Sequence, residues 1–402
     1  MLPKSIMKSL LHPFILFVLV ACATAQEPKH FTGPWNLPAL KATPAATWGA
    51  KTGLVQQVWY EGERLQEKPT RIFAYLGRPE NGPGPFPAIV LVHGGGGKAF
   101  KDWATHWARR GYVALAMDLS GNGPDGRLPD GGPDQSDQSK FRNFTDNEAA
   151  EMWTYHAVSA VIRGHSLLAA QPEVDPRRIG ITGISWGGYL TCIVAGIDDR
   201  LKVAVPVYGC GFLNENSYWK DKSLAAMNAE ARERWIKNFD PSQYLGGVNC
   251  PILFLNGSND FAYPMDSYRK SYELVRPQLR TVSVIVRLKH GHHWEFSEVD
   301  SFVDSVLVGG KPLAKLQALQ ITGSMATARV DSTVRLKKAE LHYTSDSGEW
   351  QKRDWKTADA ALNAGRISAR LPAARPLVCY LSVTDERGTR VSTEHAELPD
   401  VK

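Results

Sequence analysis

Continuous apolar runs recur through the middle of this chain: FPAIVLV at 86–92, YVALAMDL at 112–119, RIGIT at 178–182, LKVAVPV at 201–207, PILFL at 251–255 and TVSVIVRL at 281–288. A run apolar on both sides belongs to a central strand covered on both faces. Helical segments alternate with these runs, at 103–110, 189–195 and 301–308. Thr145 with Glu148 has the spacing of a capping box and predicts a long helix through about Ala170. Strand and helix in alternation predict an α/β fold, a mainly parallel sheet with helices on both faces. Ahead of it, 55–65 and 71–76 alternate as paired strands with a bend near Glu61, Gly62 and Glu63, and 30–53 reads as irregular surface structure.

Beyond Gly309, Gly310 and Pro312 the period shortens to that of strands, in ALA-type alternation at 339–344 and 379–384 with turn signals at 345–348 and 385–388. About 90 residues of this kind, 313–402, fit a small all-β sandwich of fibronectin or immunoglobulin type. Trp350 and Trp355 there either stack on sugars or pack the sandwich against the first domain, and packing is the expected role. The alternating strands and helices fall in a first domain, 26–312, with 208–245 as an insertion that is either a lid or a peripheral helix.

At 402 residues, two domains are expected. The net charge of +6 is not gathered into a stripe, which argues against nucleic-acid binding. Residues 1–25 have the basic start, short apolar run and small-residue cleavage site of an export signal. Within them Leu19, Val20, Ala21 and Cys22 resemble a bacterial lipobox. Two outcomes follow: a freely exported protein, periplasmic or secreted, or a lipoprotein with signal 1–21 whose only membrane contact is a lipid anchor at Cys22. Cys192, Cys210, Cys250 and Cys379 are sparse and set in apolar segments, as buried free thiols would be. No paired spacing suggests a zinc site, and neither a metal nor another cofactor is expected.

The chemistry centres on Gly183-Ile184-Ser185-Trp186-Gly187, a strand-to-helix turn with a serine at its apex. Glycines suit a turn in which the helix passes close to the strand, and the serine is a candidate nucleophile. Four glycines, 94–97, follow the strand at 86–92. A phosphate loop is excluded because Ala99 stands where a metal-binding hydroxyl is needed, whereas free backbone N–H groups that receive an oxyanion fit. Gly121 to Gly126 matches G-x-G-x-x-G, but Pro124 and the run that follows forbid the helix of a dinucleotide site. A serine needs a base, and the base needs a carboxylate to fix its tautomer. Asp260 and His290 fall, like Ser185, just past strand ends, where open α/β sheets gather such groups. Their rivals are Asp266 and His292.

With HGGGG at 93–97, GISWGG at 183–188, NGSND at 256–260 and HGH at 290–292, the chain resembles an α/β-hydrolase of the exported dienelactone hydrolase, acetylxylan esterase and prolyl-oligopeptidase-like group over roughly 55–310. That resemblance implies Ser185 as nucleophile, His290 as base, Asp260 as its orienter, and the N–H groups of Gly95 and Trp186 as oxyanion donors. Dienelactone hydrolases proper carry cysteine where this chain has Ser185, so their own reaction does not transfer. The implied activity is that of a serine carboxylester hydrolase removing acetyl or other small acyl groups from carbohydrate, with a small acyl ester or acylated polysaccharide as substrate. Trp103 and Trp219 are candidate sugar contacts, though such rings are equally at home in a core. The alternatives are a prolyl-oligopeptidase-like peptidase, for which too few residues precede the sheet to build a propeller, and a non-catalytic carbohydrate-binding lipoprotein.

Overall fold

Nine strands make the central sheet of the computed structural model, which describes residues 31–400. They are β1 Ala46–Thr52, β2 Val55–Glu61, β3 Arg71–Gly77, β4 Phe86–Val92, β5 Val113–Met117, β6 Val174–Ile184, β7 Val203–Val207, β8 Ile252–Gly257 and β9 Arg280–Ile285. Their spatial order is β1-β2-β3-β5-β4-β6-β7-β8-β9. Pairing is parallel from β5 to β9 and antiparallel among β1, β2, β3 and β5. The apolar runs are the reason: β5, β7 and β8 are buried at every position, and β4 at all but Phe86. The export and lipobox residues lie outside the described residues.

The helices that cover the sheet are α1 Lys101–Arg109, α2 Trp153–Ala169, α3 Trp186–Ile197, α4 Ala229–Phe239, α5 Met265–Glu273 and α6 Ser297–Leu307. Gly180 and Gly183 of β6 are three residues apart and so face opposite sides of the sheet. A Cβ on Gly180 would stand 3.4 Å from Leu307 of α6, and one on Gly183 would stand 2.3 Å from the Gly187 carbonyl of α3. The sheet is thus covered on both faces. Every residue of α3 is buried. Among the described residues no helix is long and apolar enough to cross a membrane.

Two elements differ from the sequence expectation. Residues 46–52 form an edge strand, not irregular structure; mostly exposed and without apolar alternation, β1 is held by its backbone pairing to β2. The Thr145–Glu148 capping box is present but opens a short 3-10 helix, Asp146–Glu151. Met152, buried and extended at φ −81° and ψ 143°, breaks the path before α2 begins.

The C-terminal strands are β10 Lys315–Leu316, β11 Gln320–Thr322, β12 Met325–Asp331, β13 Leu336–Thr344, β14 Lys356–Asp359, β15 Ala361–Asn363, β16 Arg366–Arg370, β17 Leu377–Asp385, β18 Arg390–Ser392 and β19 Ala396–Leu398. One sheet runs β10-β12-β16-β15 with β11 on β12, the other β14-β13-β17-β18 with β19 on β17. Leu341, Ile367, Cys379 and Leu381 are fully buried in these strands. This β layer covers the open edge of the large sheet: Val284 N–H donates to Ser392 Oγ at 3.0 Å, Ser283 Oγ to the Arg390 carbonyl at 2.7 Å, and Arg280 pairs with Glu394. An uncovered β9 would present unpaired backbone groups to any passing strand. Trp350 and Trp355 are both buried, Trp350 under the Arg353 guanidinium at 3.6 Å and Trp355 against Tyr380 at 5.4 Å, so neither offers a face to a sugar. Cys192, Cys210, Cys250 and Cys379 are buried free thiols.

Candidate active site

At the end of β6 the chain turns sharply into α3, and Ser185 at the apex takes φ +61° and ψ −120°. A non-glycine residue there is strained by about 1–3 kcal/mol and persists only where its surroundings enforce it. They do so by close approach: a Cβ on Gly187 would stand 2.0 Å from the Val92 carbonyl, and one on Gly188 2.5 Å from that of Val207. Ser185 N–H donates to the Val207 carbonyl at 2.9 Å, and the residue keeps 8% of its surface exposed. Among the described residues its hydroxyl has no hydrogen-bond partner, as resting nucleophiles often lack one before substrate arrives.

Asp260 leaves β8 in a tight turn and is 2% exposed. Its Oδ1 accepts the N–H groups of Ala262 and Tyr263 at 2.9 and 2.8 Å, which aims Oδ2 at His290 Nδ1, 2.7 Å away. The carboxylate places the imidazole proton on Nδ1 and leaves the Nε2 lone pair available to take another. Tyr208 stacks on the same imidazole, centroids 4.4 Å apart and planes at 21°, and its hydroxyl donates to the Lys289 carbonyl at 2.6 Å. Because Tyr208 follows Val207, the residue that accepts from Ser185, the end of β7 ties the serine turn to the histidine.

The rivals have partners of their own, although His292 lies close to the serine: a Cβ on Gly94 would stand 2.8 Å from Ser185 Cβ and 2.9 Å from His292 Nε2. Asp266 sits in the first turn of α5, where it accepts both bonds from the Asn216 amide at 3.0 and 2.8 Å. His292 Nε2 accepts the Gly94 N–H at 3.0 Å, and its ring packs against Phe100 and Trp103. Burial first, then the neighbouring His93 and His290, push its pKa down to about 4, so it is neutral and serves as a fixed acceptor.

The glycine loop after β4 is organised by four more hydrogen bonds. His93 bridges it, Nδ1 donating to the Gly94 carbonyl at 2.8 Å and Nε2 accepting the Leu119 N–H at 2.9 Å. Gly96 N–H donates to Gln135 Oε1 at 3.2 Å, and Gly97 N–H to the Gly94 carbonyl at 3.1 Å. With Gly94, Gly96 and Gly97 committed, the N–H groups of Gly95 and Trp186 have no partner among the described residues. A Cβ at Gly95 would stand 2.9 Å from Trp186 Cδ1, so a side chain there would crowd the indole. Sequence reasoning missed Gln135, which comes from a distant loop and carries no local signature.

The two candidate sugar contacts are both buried. Trp103 is 4% exposed among Phe100, His292 and Trp294; Trp219 is 6% exposed, its ring 4.4 Å from Trp186 and 5.4 Å from Tyr263. Both are wall residues that hold the loop and the serine turn. Through Trp219 the 208–245 insertion does reach the site, while Trp235 and Phe239 of α4 are fully buried beneath it. Lys140, also buried, lies 4.7 Å from the Trp186 ring, and burial lowers its pKa. Among the described residues no group of three His, Cys, Asp or Glu side chains is gathered to hold a metal ion.

Known esterases resemble this chain over about two thirds of its length. Acetyl esterase Axe7A of Xylanibacter ruminicola is 22% identical over 303 residues, 68% of this chain and 65% of its own length, so just under two thirds of that relative is matched. An acetyl xylan esterase of a Paenibacillus species superposes with a TM-score of 0.53 at 22% identity, covering 68% of this chain and 92% of the other. Acetyl xylan esterase 1 of a Thermoanaerobacterium species gives 0.52 at 18% identity, covering 69% and 96%. At such identities the two structures speak to the fold, an α/β-hydrolase sheet. The model of the dienelactone hydrolase family matches residues 72–292, more than half of the chain and the span that carries Ser185, Asp260 and His290. The chain belongs to the dienelactone hydrolase family.

Proposed function

We propose that this hydrolase is a serine carboxylester hydrolase that removes acetyl or other small acyl groups from carbohydrate. Ser185 attacks the ester carbonyl while His290 Nε2 takes its proton, the carbonyl oxygen develops charge against the N–H groups of Gly95 and Trp186, and Asp260 stabilises the imidazolium. His290 then protonates the departing alcohol, and water repeats the cycle on the acyl-enzyme. Each oxyanion donor contributes about 3 kcal/mol to such a transition state. The observation that carries the reading is the 2.7 Å contact of Asp260 with His290 Nδ1, on the rim that holds a strained, unpartnered serine. The esterase names of the relatives support the acyl class.

Parallel assays of p-nitrophenyl acetate, acetylated xylan and a prolyl peptide test this function. Turnover of the two acetyl esters without peptide cleavage is expected; peptide cleavage alone would overturn it in favour of a peptidase, and no turnover by folded protein in favour of a binding protein. Residues 1–25 are proposed to direct export, with either cleavage near Ala25 or lipidation at Cys22. Mass spectrometry of the mature N-terminus separates the two, an unmodified start at Gln26 eliminating the anchor.

A further inference from the structure

Large apolar side chains are rarely exposed among the described residues, yet two of them stand together beside the histidine. Tyr218 is 46% and Phe261 51% exposed, with ring centroids 5.8 Å apart and planes at 87°. The Phe261 ring lies 4.9 Å from that of His290. Both positions are fixed by backbone: Phe261 directly follows Asp260 in the turn whose N–H groups bind the carboxylate, and Tyr218 N–H donates to the Ala262 carbonyl of the same turn at 3.2 Å. The Lys222 ammonium lies 4.0 Å from the Tyr218 ring.

The geometry points to Phe261 and Tyr218 as the subsite for the leaving alcohol, shaped for the C–H face of a pyranose ring. This inference rests on the Ser185–His290–Asp260 reading. In acyl transfer the imidazole that deprotonates the serine also hands the proton to the leaving oxygen, so the alcohol must lie within hydrogen-bond reach of His290. Groups against that imidazole therefore flank the alcohol, whereas the Gly95 and Trp186 N–H groups flank the carbonyl. An exposed aromatic ring suits a partner with an apolar face and polar edges, and a pyranoside has both. Lys222 adds a hydrogen-bond donor at the rim for the ring hydroxyls. A linear alkyl alcohol would gain little from such a surface.

The test uses Phe261→Ala, Tyr218→Ala and the double variant on two acetyl esters, an acetylated methyl xylopyranoside and ethyl acetate. Both substrates give the same acetyl-enzyme, so only acylation can tell them apart. Each single variant should lower the ratio of kcat/KM for the pyranoside over ethyl acetate by about fivefold to tenfold, and Phe261→Trp should restore it. The rate of acetyl-enzyme breakdown, which no longer contains the alcohol, should move far less than acylation. Equal losses on both esters, or a loss confined to acetyl-enzyme breakdown, would overturn the subsite while leaving the triad standing. Absence of any acetyl-enzyme in the unmodified protein would overturn the triad reading itself, and the subsite with it.

Discussion

Asn259 donates its side-chain amide to the Arg353 carbonyl at 2.8 Å, joining the residue before Asp260 to a turn of the C-terminal sandwich. The same amide reaches the Gln351 carbonyl at 3.2 Å, and Arg287, in the segment leading to His290, pairs with Asp354. The sandwich is therefore a brace for the loops that carry Asp260 and His290, besides covering the edge of β9.

Replacing Asn259 by Ala should leave the fold intact and loosen the acid loop. A misplaced orienter costs catalysis more than binding, so kcat on p-nitrophenyl acetate should fall by about tenfold with little change in KM. A drop in KM-dependent binding with kcat preserved would contradict the brace. Removing residues from Ala314 onward should go further, lowering thermal stability and exposing β9, with no specific loss of polysaccharide retention, since Trp350 and Trp355 are buried.

The serine turn tolerates no side chain at Gly187, where a Cβ would stand 2.0 Å from a main-chain carbonyl of β4. Gly187→Ala should destabilise the protein by about 3 kcal/mol or more, because backbone has to shift. Gly246→Ala, where nothing lies within 4 Å, is the control and should be near neutral. Chemical denaturation of the two variants side by side measures the difference.

His93 gives a pH-dependent contribution of definite sign. Burial holds its pKa down at about 4 in the fold, against an ordinary 6.5, so the unfolded chain binds the proton first. The stability it contributes is complete above pH 6.5 and is lost as the pH falls through 4. Between about pH 7 and about pH 5 the loss from this one group is about 2 kcal/mol. His93→Gln should be less stable throughout yet show a flatter decline over that interval; parallel curves for the two proteins would contradict the assignment.

The parts of this molecule that local pattern decides were legible in the chain. Unbroken apolar runs such as 86–92 and 203–207 can only be central strands, and the glycines around Ser185 announce a turn that excludes side chains. Asp260 and His290 both lie past strand ends and hydrogen-bond to each other. Long-range relationships were not legible. Whether the ring of Trp103 or Trp219 is wall or surface depends on which neighbours arrive from elsewhere, and Trp294 and Tyr263 arrive to cover them. Nothing in the local pattern marks Phe261 as exposed; the turn at Asp260 places its ring at the surface. The bond from Asn259 spans more than 90 residues and has no sequence mark. Strand β1 lacks alternation because, at the edge of the sheet, most of its positions face solvent.

The most direct measurement is site-resolved labelling with a serine-reactive fluorophosphonate, read by peptide mass spectrometry alongside turnover of p-nitrophenyl acetate. The adduct should sit on Ser185, and both labelling and turnover should collapse in His290→Ala while surviving in reduced measure in His292→Ala. An adduct on another residue, or turnover that survives loss of His290 and is abolished by loss of His292, would contradict the account.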